Sequence, residues 1–80
     1  MDDAEILRHI HQLVEEEHGL ERSRLGTGLS DDEHARLERL EVALDQCWDL
    51  LRQRRARRDA GGDPADAKVR SDDVVERYQQ

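Results

Sequence analysis

The sequence predicts an all-α protein whose centre is an antiparallel hairpin of two helices. Two stretches repeat apolar residues with helical spacing, one on each side of Gly26-Thr27-Gly28. The chain has 80 residues, of which 35% are hydrophobic and 41% are charged, so one copy has little apolar surface to bury. We therefore expect the hairpin to associate with a second copy into a helical bundle.

The first helix is expected over residues 3–24. Asp2 precedes Glu5 by three residues, which is the spacing of a capping box at a helix start. Apolar side chains then recur within an arc of roughly 140° around the helix axis. They are Ile6, Leu7, Ile10, Leu13, Val14 and Leu20. This pattern predicts an amphipathic helix with one apolar face.

The second helix is expected over residues 31–60, with Ser30 and Glu33 as its capping box. Its apolar arc is roughly 160° wide, which is broader than one neighbouring helix requires. Only one long neighbour is available within the chain, so we expect another copy to supply the second. The simplest closed assembly is a dimer that forms a four-helix bundle. The predicted self-association interface consists of Leu37, Leu40, Leu44, Cys47, Trp48 and Leu51.

Gly61 and Gly62 end the second helix and separate a hairpin domain, residues 1–62, from a C-terminal arm, residues 63–80. At 1.5 Å per residue the helices would be about 33 Å and about 45 Å long, so the end of the second helix is expected to extend beyond the first. Pro64 favours a short helical turn in the arm. The arm either lies over the bundle, with Tyr78 as its anchor, or stays partly mobile.

Five arginines form a basic block at the end of the second helix. They are Arg52, Arg54, Arg55, Arg57 and Arg58. The block is a possible phosphate-binding patch for nucleic acid or a nucleotide. However, the chain carries a net charge of −7, no aromatic residue is interleaved for base stacking, and arginines at a helix C-terminus also interact with the helix dipole. Nucleic-acid binding is therefore the disfavoured alternative function.

Candidate catalytic and metal-binding residues are few. Glu15 and His18 have the Glu-x-x-His spacing of di-iron bundles, but both lie outside the apolar arc, whereas such ligands project inward. Glu17 lies inside the arc and needs a cationic partner, which Arg36 or His34 could supply across the hairpin. We expect a structural ion pair there because no nucleophile accompanies the carboxylate. The sequence predicts no enzyme, no metal and no cofactor.

The composition also limits the cellular setting. The single cysteine cannot form an internal disulfide bond, and the first ten residues lack the basic and apolar regions of a secretory signal. No apolar run approaches the length of a membrane-spanning helix. We expect a cytoplasmic protein that does not contact membranes, whose partner is itself and which can also bind another protein.

The string LEVALDQCWDLLRQRRARRDAG, residues 40–61, resembles a small actinobacterial family known only as a domain of unknown function. The likeness extends to IHQLVEEEH before it and VVERY after it, and so covers nearly the whole chain. The resemblance implies a short helical cytoplasmic protein and carries over no catalytic or binding residues. From the residues and the resemblance we expect a homo-oligomeric helical module for protein–protein interaction.

Overall fold

A computed structural model describes residues 2–71 as two long α-helices and one short 3-10 helix. Helix α1 spans Asp3–Gly26, helix α2 spans Asp31–Asp59, and the 3-10 helix spans Pro64–Asp66. The two long helices pack against each other, and no strand occurs within the described range. The prediction of an all-α hairpin is confirmed.

Both long helices begin at capping boxes. Asp2 Oδ1 accepts the Glu5 N–H at 2.8 Å, and Ser30 Oγ accepts the Glu33 N–H at 3.2 Å. In each box the glutamate side chain also accepts the N–H of the capping residue. Between the helices Gly28 has φ +80°, a conformation that residues with a Cβ rarely adopt. Local chemistry therefore fixes the ends of the turn that reverses the chain.

The helices face each other along seams in which three-residue and four-residue steps alternate, a spacing that keeps one side of a helix turned toward its neighbour. The seam of α1 consists of Asp3, Ile6, Ile10, Leu13, Glu17, Leu20 and Arg24. The seam of α2 consists of Leu37, Leu40, Leu44, Cys47, Leu51, Arg54 and Arg58. Ile6 is fully buried, and it belongs to one cluster with Ile10, Leu13, Leu40, Leu44 and Leu50. The seam of α1 thus carries charged residues toward both ends, whereas the seam of α2 is apolar up to Leu51 and ends in two arginines.

The arm turns back after α2 and lies along it. Gly61 has φ +80°, and the Gly62 N–H donates to the Arg57 carbonyl at 2.7 Å, which reverses the chain. Gln46 Nε2 then donates to the Arg70 carbonyl at 3.2 Å, and Ala67 packs against the core cluster. Residues 63–71 of the arm therefore lie along α2. The predicted anchor Tyr78 lies outside the described residues.

The expectation that the arginine-rich end of α2 extends beyond the hairpin is wrong. Arg54 Nε and Arg58 Nη1 both pair with the carboxylate of Asp3, the first residue of α1. The observed helices have 24 and 29 residues, so they differ less in length than the sequence indicates. The first turn of α1 therefore lies beside the last turn of α2.

Candidate interaction surface

Three faces of helix α2 differ in what packs against them. The spacing of about 100° per residue around the axis assigns each residue to one of them. One face carries the seam and packs on α1. A second face, roughly 150° away from the seam, carries Gln46, Asp49 and Gln53 and is covered by the arm. A third face is covered by neither element and carries the exposed side chain of Trp48. A partner can bind this third face without rearranging the chain.

The arm covers a buried carboxylate that the sequence analysis did not identify. Asp49 is 4% exposed, and its Oδ2 accepts Gln53 Nε2 at 2.9 Å and lies 3.6 Å from Arg70 Nε. These partners satisfy the buried charge. The only sequence signal for this site is the placement of Gln46 and Gln53 three residues before and four residues after Asp49, on the same side of the helix.

The structure divides the predicted self-association interface into two parts. Leu37, Leu40 and Leu44 are buried by the chain itself. Cys47 and Leu51 are half-buried, and Trp48 is 45% exposed. Within the chain the arm supplies part of a second neighbour to α2, because Ala67 packs against the core cluster. What remains for a partner is the Trp48 side of the arc.

Leu7 of α1 lies on the same side of the hairpin as Trp48. Glu16 and Arg36 each precede a seam residue by one position, and their ion pair shows that these two positions lie on the same side of the hairpin. Leu7 and Trp48 lie on the other side of their respective seams, since each follows a seam residue by one position. Leu7 is 49% exposed, so both large side chains remain partly open to solvent. We call this surface the Trp48 face; it consists of Leu7, Glu41, Asp45, Trp48, Arg52 and Arg55.

The basic block does not present five guanidinium groups on one surface. Arg54 is largely buried, and it donates to Asp3 and, through Nη1, to the Pro64 carbonyl at 3.3 Å. Arg58 pairs with Asp3 at 3.0 Å. The hydrogen bond from Arg54, assisted by the charge of Arg58 and opposed by desolvation, holds the pKa of Asp3 below its usual value. Two of the five arginines therefore stabilise the hairpin.

The other three arginines of the block are exposed. They are Arg52, Arg55 and Arg57. Arg52 and Arg55 lie on the Trp48 face, whereas Arg57 points roughly 160° away from Arg55, toward the arm. Arg57 lines a groove of about 600 Å³ together with Gln53, Lys68 and Arg70 of the arm. This groove could not be predicted from the sequence, because the arm residues come together with α2 only in the folded chain.

The predicted ion pair near the hairpin turn has a different acidic partner. Arg36 bonds to Glu16 and not to Glu17. Glu17 lies in the seam of α1 and is half-buried, whereas Glu16 lies at the edge of the seam, on the side where Arg36 approaches. An ion pair does join the two helices near the turn, but through the neighbouring residue.

The candidate metal ligands lie on the surface of α1. Glu15 and His18 are both exposed, and the nearest acid–histidine pair is His11 Nε2 with Glu15 Oε1 at 3.9 Å. Within residues 2–71 no three side chains of His, Cys, Asp or Glu converge as a metal site requires. Cys47 is half-buried, and burial raises the pKa of its thiol. This shift favours the neutral thiol, as expected for a packing residue.

Residues 2–71 thus define a small helical protein built on an antiparallel helix pair, with a packed arm and an uncovered face around Trp48. The chain belongs to the family of proteins of unknown function DUF2630, which matches residues 2–80. It is 53% identical over 77 residues to uncharacterised proteins of Mycobacterium bovis and Mycobacterium tuberculosis, covering 95% of this chain and 88% of each relative. No solved structure matches the chain. The resemblance to an actinobacterial family is confirmed.

Neither long helix of the described range combines the length and the apolar character needed to cross a membrane.

Proposed function

We propose that this protein is a homo-oligomeric helical interaction module, most simply a dimer in which two hairpins form a four-helix bundle. The exposure of Trp48 on a face that neither α1 nor the arm covers carries the proposal. Tryptophan is among the residues most enriched at the energetic centres of protein interfaces, because it buries a large area with little loss of conformational freedom. Leu7 on the same side enlarges the apolar surface.

The thin core of the single chain supports the same proposal. The buried hydrophobic residues of the described chain are seven aliphatic side chains, and Ile6 alone is fully buried. A chain of this size usually needs a disulfide, a metal or a partner in addition to its own core. A second copy packed on the Trp48 face would add another apolar layer. The hairpin would not have to open, since its seam is already occupied.

We also propose a binding role rather than catalysis, in the cytoplasm. The pKa shifts of Asp3 and Cys47 each have a local structural cause: an ion pair between helix ends for one and packing for the other. Asp3 pairs with Arg54, which lies seven positions beyond Cys47 on α2, and Asp3 and Cys47 make no hydrogen bond or ion pair with each other. Their shifts therefore support a structural explanation over a catalytic one.

The test is the mass of the full chain in solution by multi-angle light scattering across micromolar concentrations. We expect a dimer of twice the 9.3 kDa chain mass. Trp48→Ala and Leu7→Glu should give folded monomers. Leu25→Glu is the matched control, because Leu25 is 87% exposed and lies about 27 Å from Leu7 along α1. A cooperative monomer at every concentration, for the unmodified chain, contradicts the proposal.

Nucleotide or nucleic-acid binding is the second candidate, and the groove between α2 and the arm is the observation that favours it. Arg57, Lys68 and Arg70 line this groove, together with Asp66. This candidate function ranks second because Arg70 already pairs with Asp49, and the carboxylate of Asp66 offsets another positive charge of the groove. A salt titration with mixed RNA and DNA tests it. The absence of binding at low salt, or binding that Arg57→Glu leaves unchanged, excludes the groove as a nucleic-acid site.

A further inference from the structure

We propose that two copies of the chain meet in antiparallel orientation about a two-fold axis at Trp48, so that Glu41 of each copy pairs with Arg55 of the other. This inference rests on the proposed self-association and adds the orientation of the copies and the charged contacts that specify it. The arrangement of charges on the Trp48 face carries the argument.

The central row of the Trp48 face is Glu41, Trp48 and Arg55. These residues are seven positions apart, so they lie almost directly above one another on the helix, with Trp48 in the middle. All three are exposed. A parallel row contains Asp45 on the acidic side of Trp48 and Arg52 on the basic side. The face is therefore acidic toward the start of α2 and basic toward its end.

A two-fold axis at Trp48 makes this face complementary to itself. In antiparallel packing a residue that follows Trp48 by some number of positions faces the residue that precedes it by the same number. Glu41 then meets Arg55 of the other copy, and Asp45 lies beside Arg52 of the other copy. Parallel packing would instead place each residue against its own copy, so that like charges meet. Electrostatic complementarity of this kind fixes the register and orientation of an interface.

The isolated chain leaves these charges for a partner. Within residues 2–71 the structure gives neither Glu41 nor Arg55 an ion pair, in contrast to Arg54 and Arg58, which both bind Asp3. Like charges also adjoin along the helix, because Glu41 precedes Asp45 by four positions and Arg52 precedes Arg55 by three. Such pairs repel each other on one helix. An antiparallel second copy brings opposite charges beside each of these pairs and so offsets their repulsion.

The resulting contact has the usual anatomy of a protein interface. The two Trp48 side chains and the nearby Leu7 side chains form its apolar centre, and each is about half exposed in the single chain. The charged residues lie at the two ends, on the side where solvent reaches them. Apolar centres with polar rims are the common arrangement in specific interfaces.

Charge reversal tests the pairing. We expect Glu41→Arg alone and Arg55→Glu alone each to raise the dimer dissociation constant about tenfold at low salt. The double variant should return to within about threefold of the unmodified chain, because the swapped charges again meet their opposites. Glu15→Arg, on the exposed side of α1, controls for the change in net charge. A double variant as weak as the singles would overturn the proposal.

A distance measurement tests the orientation independently. Spin labels at Glu41→Cys, in a chain with Cys47→Ala, should lie about 21 Å apart along the helices in the antiparallel dimer, and within about 10 Å in a parallel one. A short distance overturns this arrangement even when the chain is a dimer. If Trp48→Ala abolishes the dimer while the double charge-reversal variant stays as weak as the single variants, the result likewise overturns only the orientation. An unmodified chain that is monomeric removes the proposed function, and this inference with it.

Discussion

Gln53 attaches the arm to α2 through its side-chain amide. Its Nε2 donates to the Lys68 carbonyl at 2.7 Å and to Asp49 Oδ2 at 2.9 Å, while its Oε1 accepts the Lys68 N–H at 3.4 Å. Gln53→Ala removes all three hydrogen bonds and leaves the buried carboxylate with Arg70. We predict that the arm of this variant opens more often than that of the unmodified chain while the helix pair stays intact.

The size of the effect follows from the two hydrogen bonds that join Gln53 to Lys68, because the bond to Asp49 lies within α2 and does not hold the arm. A typical intramolecular hydrogen bond contributes about 1 kcal/mol net, so their loss destabilises the closed arm by about 2 kcal/mol. This free energy corresponds to about a thirtyfold rise in the open population. Trypsin cuts after Lys68 and Arg70, so the rate of cleavage at these bonds reports the opening when closing is fast. Helix content, followed by circular dichroism, should not change.

Gln12→Ala is the matched control, because Gln12 is an exposed glutamine on α1, remote from the arm. Its cleavage rate in the arm should stay within about twofold of the unmodified chain. Gln53→Glu should open the arm at least as much as Gln53→Ala, since it replaces the donor with a carboxylate beside Asp49. Cleavage of Gln53→Ala within about threefold of the unmodified rate would refute the reasoning.

Three further predictions concern the hairpin. Ile6→Ala should destabilise the fold by about 3 kcal/mol in thermal unfolding, whereas Leu25→Ala at an exposed site should change it by less than about 0.5 kcal/mol; equal effects contradict the assigned core. Because Arg54 lowers the pKa of Asp3, the carboxylate stabilises the fold above pH of about 4 and less as the pH falls through its folded value. Asp3→Asn should therefore lower the unfolding temperature at neutral pH, and the difference should shrink as the pH falls progressively below 3.8, the ordinary pKa of this carboxyl. The half-buried Cys47 thiol should react more slowly with a disulfide reagent than the same thiol in the urea-unfolded chain, and equal rates would disprove its partial burial.

The helix pair could be predicted because its signals are local or periodic. The capping boxes at Asp2 and Ser30 involve residues three positions apart, so they are visible without knowledge of the tertiary structure. The alternating seam spacing likewise belongs to each helix separately. These two kinds of signal determine which segments become helices and which sides face each other.

The contacts that the sequence did not reveal join residues far apart in the chain. Arg54 and Asp3 are 51 positions apart. Gln53 bonds to the backbone of Lys68, and a backbone contact leaves no signal in the pattern of side chains along the sequence. Asp49 is buried only because the arm lies over it. Arg36 pairs with Glu16 and not with Glu17 because of the direction from which its side chain approaches α1. Residue spacing alone does not determine that direction.

The candidate surface is narrower than the apolar arc of α2 indicated, and this changes what a partner must do. The arc extends from Leu50, through the seam, to Trp48. The arm and α1 already cover the Leu50 side and the seam, so the need for a partner depends on the Trp48 side alone. A partner that bound the seam would compete with α1 and would have to open the hairpin. A partner on the Trp48 face adds contacts without removing any, so association and hairpin packing should stabilise the chain together.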